Sequence, residues 1–238
     1  MLPRRTDYSP VLFLGSTHLE LWRRFEARRV MCWRQWVFRP GGGLAESSEQ
    51  TSVSGETQTL FQDSFPGAVS LARRNWRVED WSDAIKSSDR QLEELINGRQ
   101  FEVIVVILGT QNIHDTEPEV LVEMFLELLG VLHERMPRSR IVLLSVLPRL
   151  PQSLKLDKRI TTTNSLLKES VLKAADSFAR FFDITDCFYH GEDIMKKAFQ
   201  GDRIQLNLLG YAILRKTIKR ILRLYLRPNV SRNSINSA

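Results

Sequence analysis

One stretch of this sequence limits the possible folds more than any other. Residues 103–108 are all apolar, and most of them are β-branched. A continuous apolar run of this length is typical of a strand that is buried on both faces of a parallel sheet. The run stops at Gly109, and polar residues follow it directly. We expect these polar side chains to lie at the carboxyl edge of the sheet, where open α/β sheets form their clefts.

Apolar runs and helical patterns alternate along the chain in the order that a doubly wound parallel sheet requires. We predict strands over residues 11–14, 58–62, 101–108, 140–146 and 181–184, and helices over residues 18–30, 80–97, 117–135, 158–179 and 207–226. The predicted fold class is therefore α/β, a three-layer doubly wound sheet of about five parallel strands with helices on both faces, as in flavodoxin-like folds.

Length and composition favour one domain. The chain has 238 residues, of which 42% are hydrophobic, and this is enough to fill a single core. We predict an N-terminal extension over residues 1–10, one domain over 11–227 and a C-terminal tail over 228–238. Residues 40–59 combine three consecutive glycines with a run rich in Ser, Glu, Gln and Thr, so we predict a mobile loop there.

The sequence offers no signal for membrane insertion, secretion or metal binding. No apolar run approaches the roughly 20 residues that a bilayer crossing needs, and residues 11–14 are too few for a signal peptide. The two cysteines, Cys32 and Cys187, are far apart and lack metal-ligand spacing, which favours a reducing compartment. We therefore predict a cytoplasmic protein without a metal or cofactor.

Four short segments contain candidates for a functional site, because each combines a possible strand end or tight turn with small or polar residues. In chain order these segments are Gly15-Ser16-Thr17-His18, Ser64-Phe65-Pro66-Gly67, Gly109-Thr110-Gln111-Asn112, and residues 201–211 with Asp202 and Gln205.

This arrangement resembles the SGNH, or GDSL, hydrolase superfamily over roughly residues 10–226. The blocks of that superfamily are a Gly-Asp-Ser strand end, a lone glycine, a Gly-x-Asn-Asp turn and a terminal Asp-x-x-His. The resemblance implies that Thr17 occupies the place of the serine nucleophile, while Gly67 and Gln111 occupy those of the oxyanion donors. It also implies that Asp202 and Gln205 occupy the places of the aspartate and histidine.

The departures from the superfamily pattern fall on the chemical groups. Thr17 replaces serine, Gln111 replaces asparagine, and Gln205 replaces the histidine that would activate the nucleophile. An amide does not accept a proton as imidazole does, and losing the base removes several orders of magnitude in rate. We therefore predict a pseudoenzyme with no catalytic residues and a remnant cleft. The predicted cleft residues are Ser16, Thr17, Gly67, Gln111, Asn112, Asp202 and Gln205.

A different histidine could still serve as the base, which leaves a weak or divergent GDSL-type esterase as an alternative. The four histidines of the chain are His18, His114, His133 and His190. His18 is next to Thr17 in sequence, but we expect its side chain to point away from the hydroxyl at a strand-to-helix turn.

Basic charge is concentrated at both ends of the chain, although the net charge is only +6. Residues 203–238 contain eight basic residues and no acidic one, and residues 1–39 contain eight arginines against three acidic residues. A helix over residues 207–226 would place apolar residues on one face and cations on the other. Such a stripe binds phosphates independently of sequence, and aromatic residues near it, such as Trp22, Trp33, Trp36 and Phe38, could stack on bases.

Solvation of a surface helix also explains a charged outer face, and the tryptophans fit an ordinary core as well. The same stripe could meet an acidic membrane surface. We favour RNA as the partner, because the basic segments lack compensating acids. The predicted RNA-binding residues are Arg34, Arg39, Arg203, Arg215, Lys216, Lys219, Arg220, Arg223 and Arg227.

A basic SGNH-like domain without catalytic residues is similar in character to the hydrolase-like, RNA-binding C-terminal domain of the germ-plasm protein Oskar. That similarity implies a scaffold that binds single-stranded or messenger RNA in a cytoplasmic ribonucleoprotein assembly. A protein-interaction module on an inactive hydrolase fold is a further alternative.

Overall fold

The structure, a computed structural model, describes residues 11–24, 60–96, 98–150, 154–190 and 193–226. The predicted terminal segments, the loop over residues 40–59, and Arg34, Arg39 and Arg227 therefore lie outside the described residues. So do Trp33, Trp36 and Phe38.

Five parallel strands form the central sheet of the described chain, in the order β2-β1-β3-β4-β5. The strands are β1 (Val11–Gly15), β2 (Val69–Ala72), β3 (Val103–Ile107), β4 (Arg140–Leu144) and β5 (Ala179–Phe182). Every residue of β1 and β3 is buried, as expected for strands that are covered on both faces. The predicted α/β class with a parallel sheet is confirmed.

Helices cover both faces of this sheet. They are α1 (Thr17–Arg24), α2 (Leu60–Ser64), α3 (Val78–Lys86), α4 (Arg90–Ile96), α5 (Pro118–Arg135), α6 (Leu154–Ala174) and α7 (Leu208–Leu222). Apolar residues of α3 to α6 form the core on one face, while those of α1, α2 and α7 form the core on the other. None of the helices in the described ranges is long and apolar enough to cross a membrane.

Shorter elements lie between the last strand and the last helix. A small antiparallel ribbon pairs β6 (Tyr189–His190) with β7 (Asp193–Ile194), and short 3₁₀ turns cover Thr185–Phe188 and Lys196–Ala198. A third 3₁₀ turn, Asn112–His114, follows β3. The segments between β5 and α7 keep the chain at the carboxyl edge of the sheet, where the Arg203 carbonyl oxygen accepts from the Leu150 N–H after β4.

The predicted strand over residues 58–62 is wrong, because residues 60–62, the part of it that the structure describes, belong to α2 instead. Phe61 and Phe65 are four residues apart, so a helical turn places both rings on one side. Their centroids lie 5.0 and 4.8 Å from that of Phe13 in β1. The second strand is Val69–Ala72, whose exposed edge position leaves it without a long apolar run.

The predicted helix over residues 80–97 is two helices, α3 and α4. The first of these helices ends at Lys86. Two residues later, Ser88 adopts a left-handed backbone conformation with φ of 53°, which ends the helical hydrogen bonding. The predicted helix over 158–179 also ends earlier, at Ala174, which lets β5 begin at Ala179.

Candidate functional site

Polar side chains meet at the carboxyl edge of the sheet around the hydroxyl of Thr17. Thr17 is the first residue of α1, directly after β1 and the buried Ser16. Its Oγ1 accepts hydrogen bonds from the Gln111 side-chain amide at 3.0 Å and from the Asn75 backbone N–H at 3.1 Å. It donates to the Asn75 side-chain oxygen at 3.3 Å. Among the described residues, every partner of this hydroxyl is therefore an amide group.

Glycines let the strand ends approach one another at this edge. A Cβ added to Gly15 would lie 2.8 Å from the Cβ of Leu19 and 3.1 Å from the Ile107 carbonyl oxygen. Gly109 has φ of 94°, and a Cβ there would lie 2.7 Å from the Val146 side chain. Both positions therefore need glycine, because a side chain would push β1 and the turn after β3 away from their neighbours.

Gly67 lies at the opposite edge of the sheet, so its predicted place in the cleft is wrong. Val69, two residues after Gly67, pairs with Leu12, and Ala72 pairs with Gly15 at the end of β1. At about 3.3 Å per strand residue, Gly67 is on the order of 15 Å from Thr17 along the strand direction. The loop that reaches Thr17 follows β2 and ends at Asn75, whose φ of 62° turns it towards the hydroxyl.

Gln111 and Asn112 are neighbours in sequence, but their side chains lie in different parts of the structure. Gln111 faces Thr17, whereas Asn112 is fully buried beneath the start of α3. Asn112 Oδ1 accepts from the Val78 N–H at 3.2 Å, and its Nδ2 donates to Glu79 at 2.7 Å. The predicted cleft role of Asn112 is therefore wrong, because both ends of its amide hold the N-terminus of α3.

Asp202 and Gln205 lie in the turn before α7. Asp202 Oδ1 accepts hydrogen bonds from the backbone N–H groups of Ile204 and Gln205, at 3.0 and 2.9 Å. Arg203 between them has a left-handed backbone with φ of 64°. One carboxylate oxygen thus stabilises the local turn, where a hydrolase aspartate would orient a histidine.

His18 is a buried titratable group that interacts electrostatically with Asp202 in this turn. Burial and, to a lesser extent, the Arg149 guanidinium lower the pKa of His18 to about 4, although Asp202 opposes the shift. The ring is therefore neutral at pH 7 and is a weak base. Its Nδ1 has no hydrogen-bond partner in the described part of the chain. Tyr211 in α7 donates its hydroxyl to the His18 carbonyl oxygen at 3.0 Å.

Arg149 is a buried cation at this edge that was not among the predicted cleft residues. It follows β4, donates to the Thr110 carbonyl oxygen at 2.6 Å and contacts the His114 ring nitrogen at 2.6 Å. Burial lowers the pKa of Arg149, and Asp157 opposes this. Burial and the nearby Arg149 also lower the pKa of His114. A charged residue among the apolar neighbours Leu147, Pro148 and Leu150 was the available signal.

The basic residues of α7 lie on its surface, away from the cleft. Lys216, Arg220 and Arg223 are exposed, and none of them has a carboxylate partner within the described residues. Burial lowers the pKa of Lys219, and the neighbouring Arg215 and Arg223 lower it further. The cations thus lie close enough to repel one another. We call Lys216, Arg220 and Arg223 the outer basic row.

Trp22 is part of the core and is not available to stack on a base. Its ring is fully buried and stacks on Tyr211 at a centroid distance of 5.5 Å. It also meets Phe61 and Phe65 edge-on, at 5.5 and 5.6 Å. The interpretation of this tryptophan as an ordinary core residue is therefore the correct one.

Comparisons with known proteins show similarity to hydrolases in sequence and in fold. The chain is 30% identical over 123 residues to a platelet-activating factor acetylhydrolase IB subunit alpha2 from Rattus norvegicus, which covers 51% of this chain and 52% of that protein. The chain thus matches about half the length of such curated relatives. No family model matches the sequence.

Solved structures match over almost the whole chain. A candidate platelet activating factor from Streptococcus pneumoniae superposes with a TM-score of 0.61 at 17% identity, covering 93% of this chain and 86% of that one. A GDSL-like lipase from Bacteroides thetaiotaomicron gives a TM-score of 0.59 at 13% identity, covering 94% and 93%. The fold is that of the SGNH, or GDSL, hydrolases.

Proposed function

We propose that this chain forms a non-catalytic SGNH-fold domain that binds single-stranded or messenger RNA. In this proposal it acts as a scaffold in a cytoplasmic ribonucleoprotein assembly, as the similarity in character to Oskar implies. The observation that carries the proposal is the outer basic row, three cations on one exposed helix face that have no carboxylate partner among the described residues.

The chemistry around Thr17 supports a non-catalytic role. A hydroxyl becomes a nucleophile when an adjacent base takes its proton. The partners of the Thr17 hydroxyl are the amides of Gln111 and Asn75, which do not titrate near neutral pH. Gln205 fills the expected histidine position, and His18 has a pKa of about 4.

The electrostatics of α7 support an anionic polymer as the partner. Lys216, Arg220 and Arg223 are three or four residues apart, so their side chains are neighbours on one helix surface. Clustered cations without acids repel one another, and a run of phosphates relieves this repulsion while releasing counterions. The apolar residues of α7 pack into the core, which leaves the basic face for the partner.

Fluorescence anisotropy with a labelled single-stranded RNA tests this function. We expect binding at about 100 mM salt, with an affinity that falls as salt rises. Changing Lys216, Arg220 and Arg223 together to Glu should weaken binding and make the slope of log affinity against log salt shallower by about 2.

A matched control uses three exposed lysines of α6, because changing Lys155, Lys158 and Lys168 to Glu alters the net charge equally at another surface. That control should keep most of the affinity. Absence of binding at about 100 mM salt, or equal losses in both triple variants, would contradict the proposed interface.

A weak esterase is the second candidate, because Thr17 retains a hydroxyl at the position that the superfamily resemblance gives to the nucleophile. The relatives bear the names of acetylhydrolases and lipases. Hydrolysis of a short-chain nitrophenyl ester, compared with that by a variant carrying Ser16→Ala and Thr17→Ala, distinguishes the two. A rate above that of the double variant would favour the esterase.

A further inference from the structure

We propose that a groove beside β5 binds a nucleobase of single-stranded RNA next to the outer basic row. This inference rests on the function proposed above. The groove has a volume of about 420 Å³ and is lined by Arg140, Arg180, Phe178, Phe182, Leu224 and Tyr225, among others. Its volume lies within the range of small-ligand pockets. We call it the β5 groove.

Aromatic rings form the walls of the β5 groove. The rings of Phe182 and Tyr225 meet edge-on, with centroids 6.4 Å apart at an interplanar angle of 80°. Both side chains are half-buried, so each ring is fixed by the protein while part of it faces the groove. A base stacking on such a ring typically contributes about 1–3 kcal/mol to single-strand binding, independently of base identity.

Two arginines make the β5 groove suitable for a phosphate-linked ligand. Arg140 donates to the Ser177 carbonyl oxygen, and Arg180 lies 3.8 Å from Asp176 in an exposed ion pair that solvent weakens. Burial raises the pKa of the Tyr225 phenol, and Arg180 and Arg140 oppose that shift. The two guanidinium groups therefore lie close enough to Tyr225 to act on it electrostatically.

A second cavity of similar size at the opposite edge of the sheet has the wrong charge for this ligand. It has a volume of about 430 Å³ and is lined by Asp157, Asp183 and Asp186 together with Arg149. Three carboxylates against one guanidinium would repel a phosphate. In the β5 groove, by contrast, two arginines face one aspartate.

The β5 groove lies beside the C-terminal end of α7, because two of its lining residues come just after that helix in the sequence. Leu224 and Tyr225 come directly after Arg223, and Arg220 lies four residues before Leu224. Leu224 is 71% exposed, so a base that occupied the groove would cover part of this apolar side chain. An RNA whose phosphates follow the outer basic row would thus bring a neighbouring base to the groove.

The experiment separates base stacking from phosphate binding. Anisotropy is measured with a labelled oligouridylate of about ten nucleotides and with an abasic ribose-phosphate chain of the same length and charge. The protein should bind the oligouridylate roughly tenfold more tightly than the abasic chain. In the variant Phe182→Leu with Tyr225→Leu this difference should disappear, while the salt slope is unchanged. Tyr225→Phe keeps the ring and should keep the difference.

Each other outcome has a defined meaning. Equal affinity for both chains would overturn the groove inference but leave RNA binding intact, whereas binding of neither would remove both proposals. A glutamate-rich peptide competing as well as the oligouridylate would indicate an acidic protein segment on the groove.

A second measurement covers the case in which the double leucine variant does not fold. Photo-crosslinking of 4-thiouridine RNA to the unmodified protein should label the peptides that contain Phe182 or Tyr225. Labelling confined to other peptides would overturn the inference.

Discussion

Thr17 joins three separate parts of the chain through one hydroxyl. It lies after β1, and its partners come from the loop after β2 and the turn after β3. Replacing Thr17 by Val keeps the shape but leaves the Asn75 N–H and the Gln111 amide without their acceptor. We expect the free energy of unfolding, measured in urea, to fall by about 1–2 kcal/mol.

Thr161→Val is the matched control for that experiment. The Thr161 hydroxyl donates to the Asp157 carbonyl oxygen on the exposed side of α6. Its loss should change stability by less than about 0.5 kcal/mol. Equal effects of the two valine variants would mean that the Thr17 junction contributes nothing specific to stability.

His18 makes stability depend on pH. Its pKa is about 4 in the folded chain, against 6.5 for an unperturbed histidine, so the unfolded state binds the proton more readily. The full free energy of unfolding is present above pH 6.5. It falls as the pH drops towards 4, because the unfolded state takes up the proton first, and the loss approaches roughly 3 kcal/mol at lower pH. His18→Gln should flatten urea-derived stability between pH 6.5 and 4.

The exposed His190 supplies the control for this titration. His190→Gln should keep the pH dependence of the parent protein, because its side chain is exposed to solvent. A curve for His18→Gln that still falls as steeply as that of the parent would assign the acid sensitivity to other groups.

Sequence reasoning at the residue level located strand ends better than side-chain directions. Thr17 and Gln111 follow β1 and β3 directly, so adjacent parallel strands bring them together. Gly67 and Asn112 were misplaced for physical reasons. Gly67 was taken as the lone glycine of the superfamily pattern but comes before β2, and Asn112 turns inward to satisfy the backbone of α3. Neither error is visible in spacing alone.

At the scale of elements, α7 depends on the cap that starts it. Asn207 Oδ1 accepts from the N–H groups of Leu209 and Gly210, at 2.9 and 3.2 Å. Its Nδ2 donates to the carbonyl oxygens of Lys197 and Phe199, so the cap also fixes the preceding turn. Asn207→Ala should therefore reduce the free energy of unfolding by about 2 kcal/mol or more.

Asn207→Asp separates the two functions of this side chain. Aspartate keeps the acceptor for the helix N–H groups and favours the positive end of the helix dipole, but it cannot donate. We expect a smaller loss in urea unfolding than for Asn207→Ala. An aspartate variant as unstable as the alanine variant would mean that the donated hydrogen bonds dominate.

The sequence predicted long apolar elements well and short ones poorly. β3 and α5 are extended and apolar, so periodicity located them within a few residues. α2 has five residues and β2 has four. Segments this short do not show whether their apolar residues follow the helical or the strand period. Residues 80–97 show a continuous helical pattern, but Ser88 interrupts it with a left-handed backbone conformation. A serine side chain does not predict that conformation.

At the scale of the whole molecule, the basic surface and the polar residues around Thr17 lie at different edges of the sheet. The polar junction at Thr17 lies at the carboxyl edge, while α7 runs back so that its C-terminal cations and the β5 groove lie near the start of β4. Since the two surfaces share only the scaffold, the proposed RNA surface does not depend on the residues around Thr17.

Restoring hydrolysis should require changes in three elements at once. Asp202 Oδ1 stabilises its own turn, so Oδ2 is the oxygen left to orient a histidine at position 205. Triad members act as a unit, and single replacements therefore recover little. We expect Thr17→Ser, Gln111→Asn and Gln205→His each to leave nitrophenyl acetate hydrolysis within about twofold of the parent, while the combined variant exceeds it by roughly a hundredfold.

The combined variant with Asp202→Asn is the control and should lose most of that gain. Substantial activity from Gln205→His alone would show that the missing base is the sole defect, and an inactive combined variant that still folds would show that the carboxyl edge has moved away from catalytic geometry.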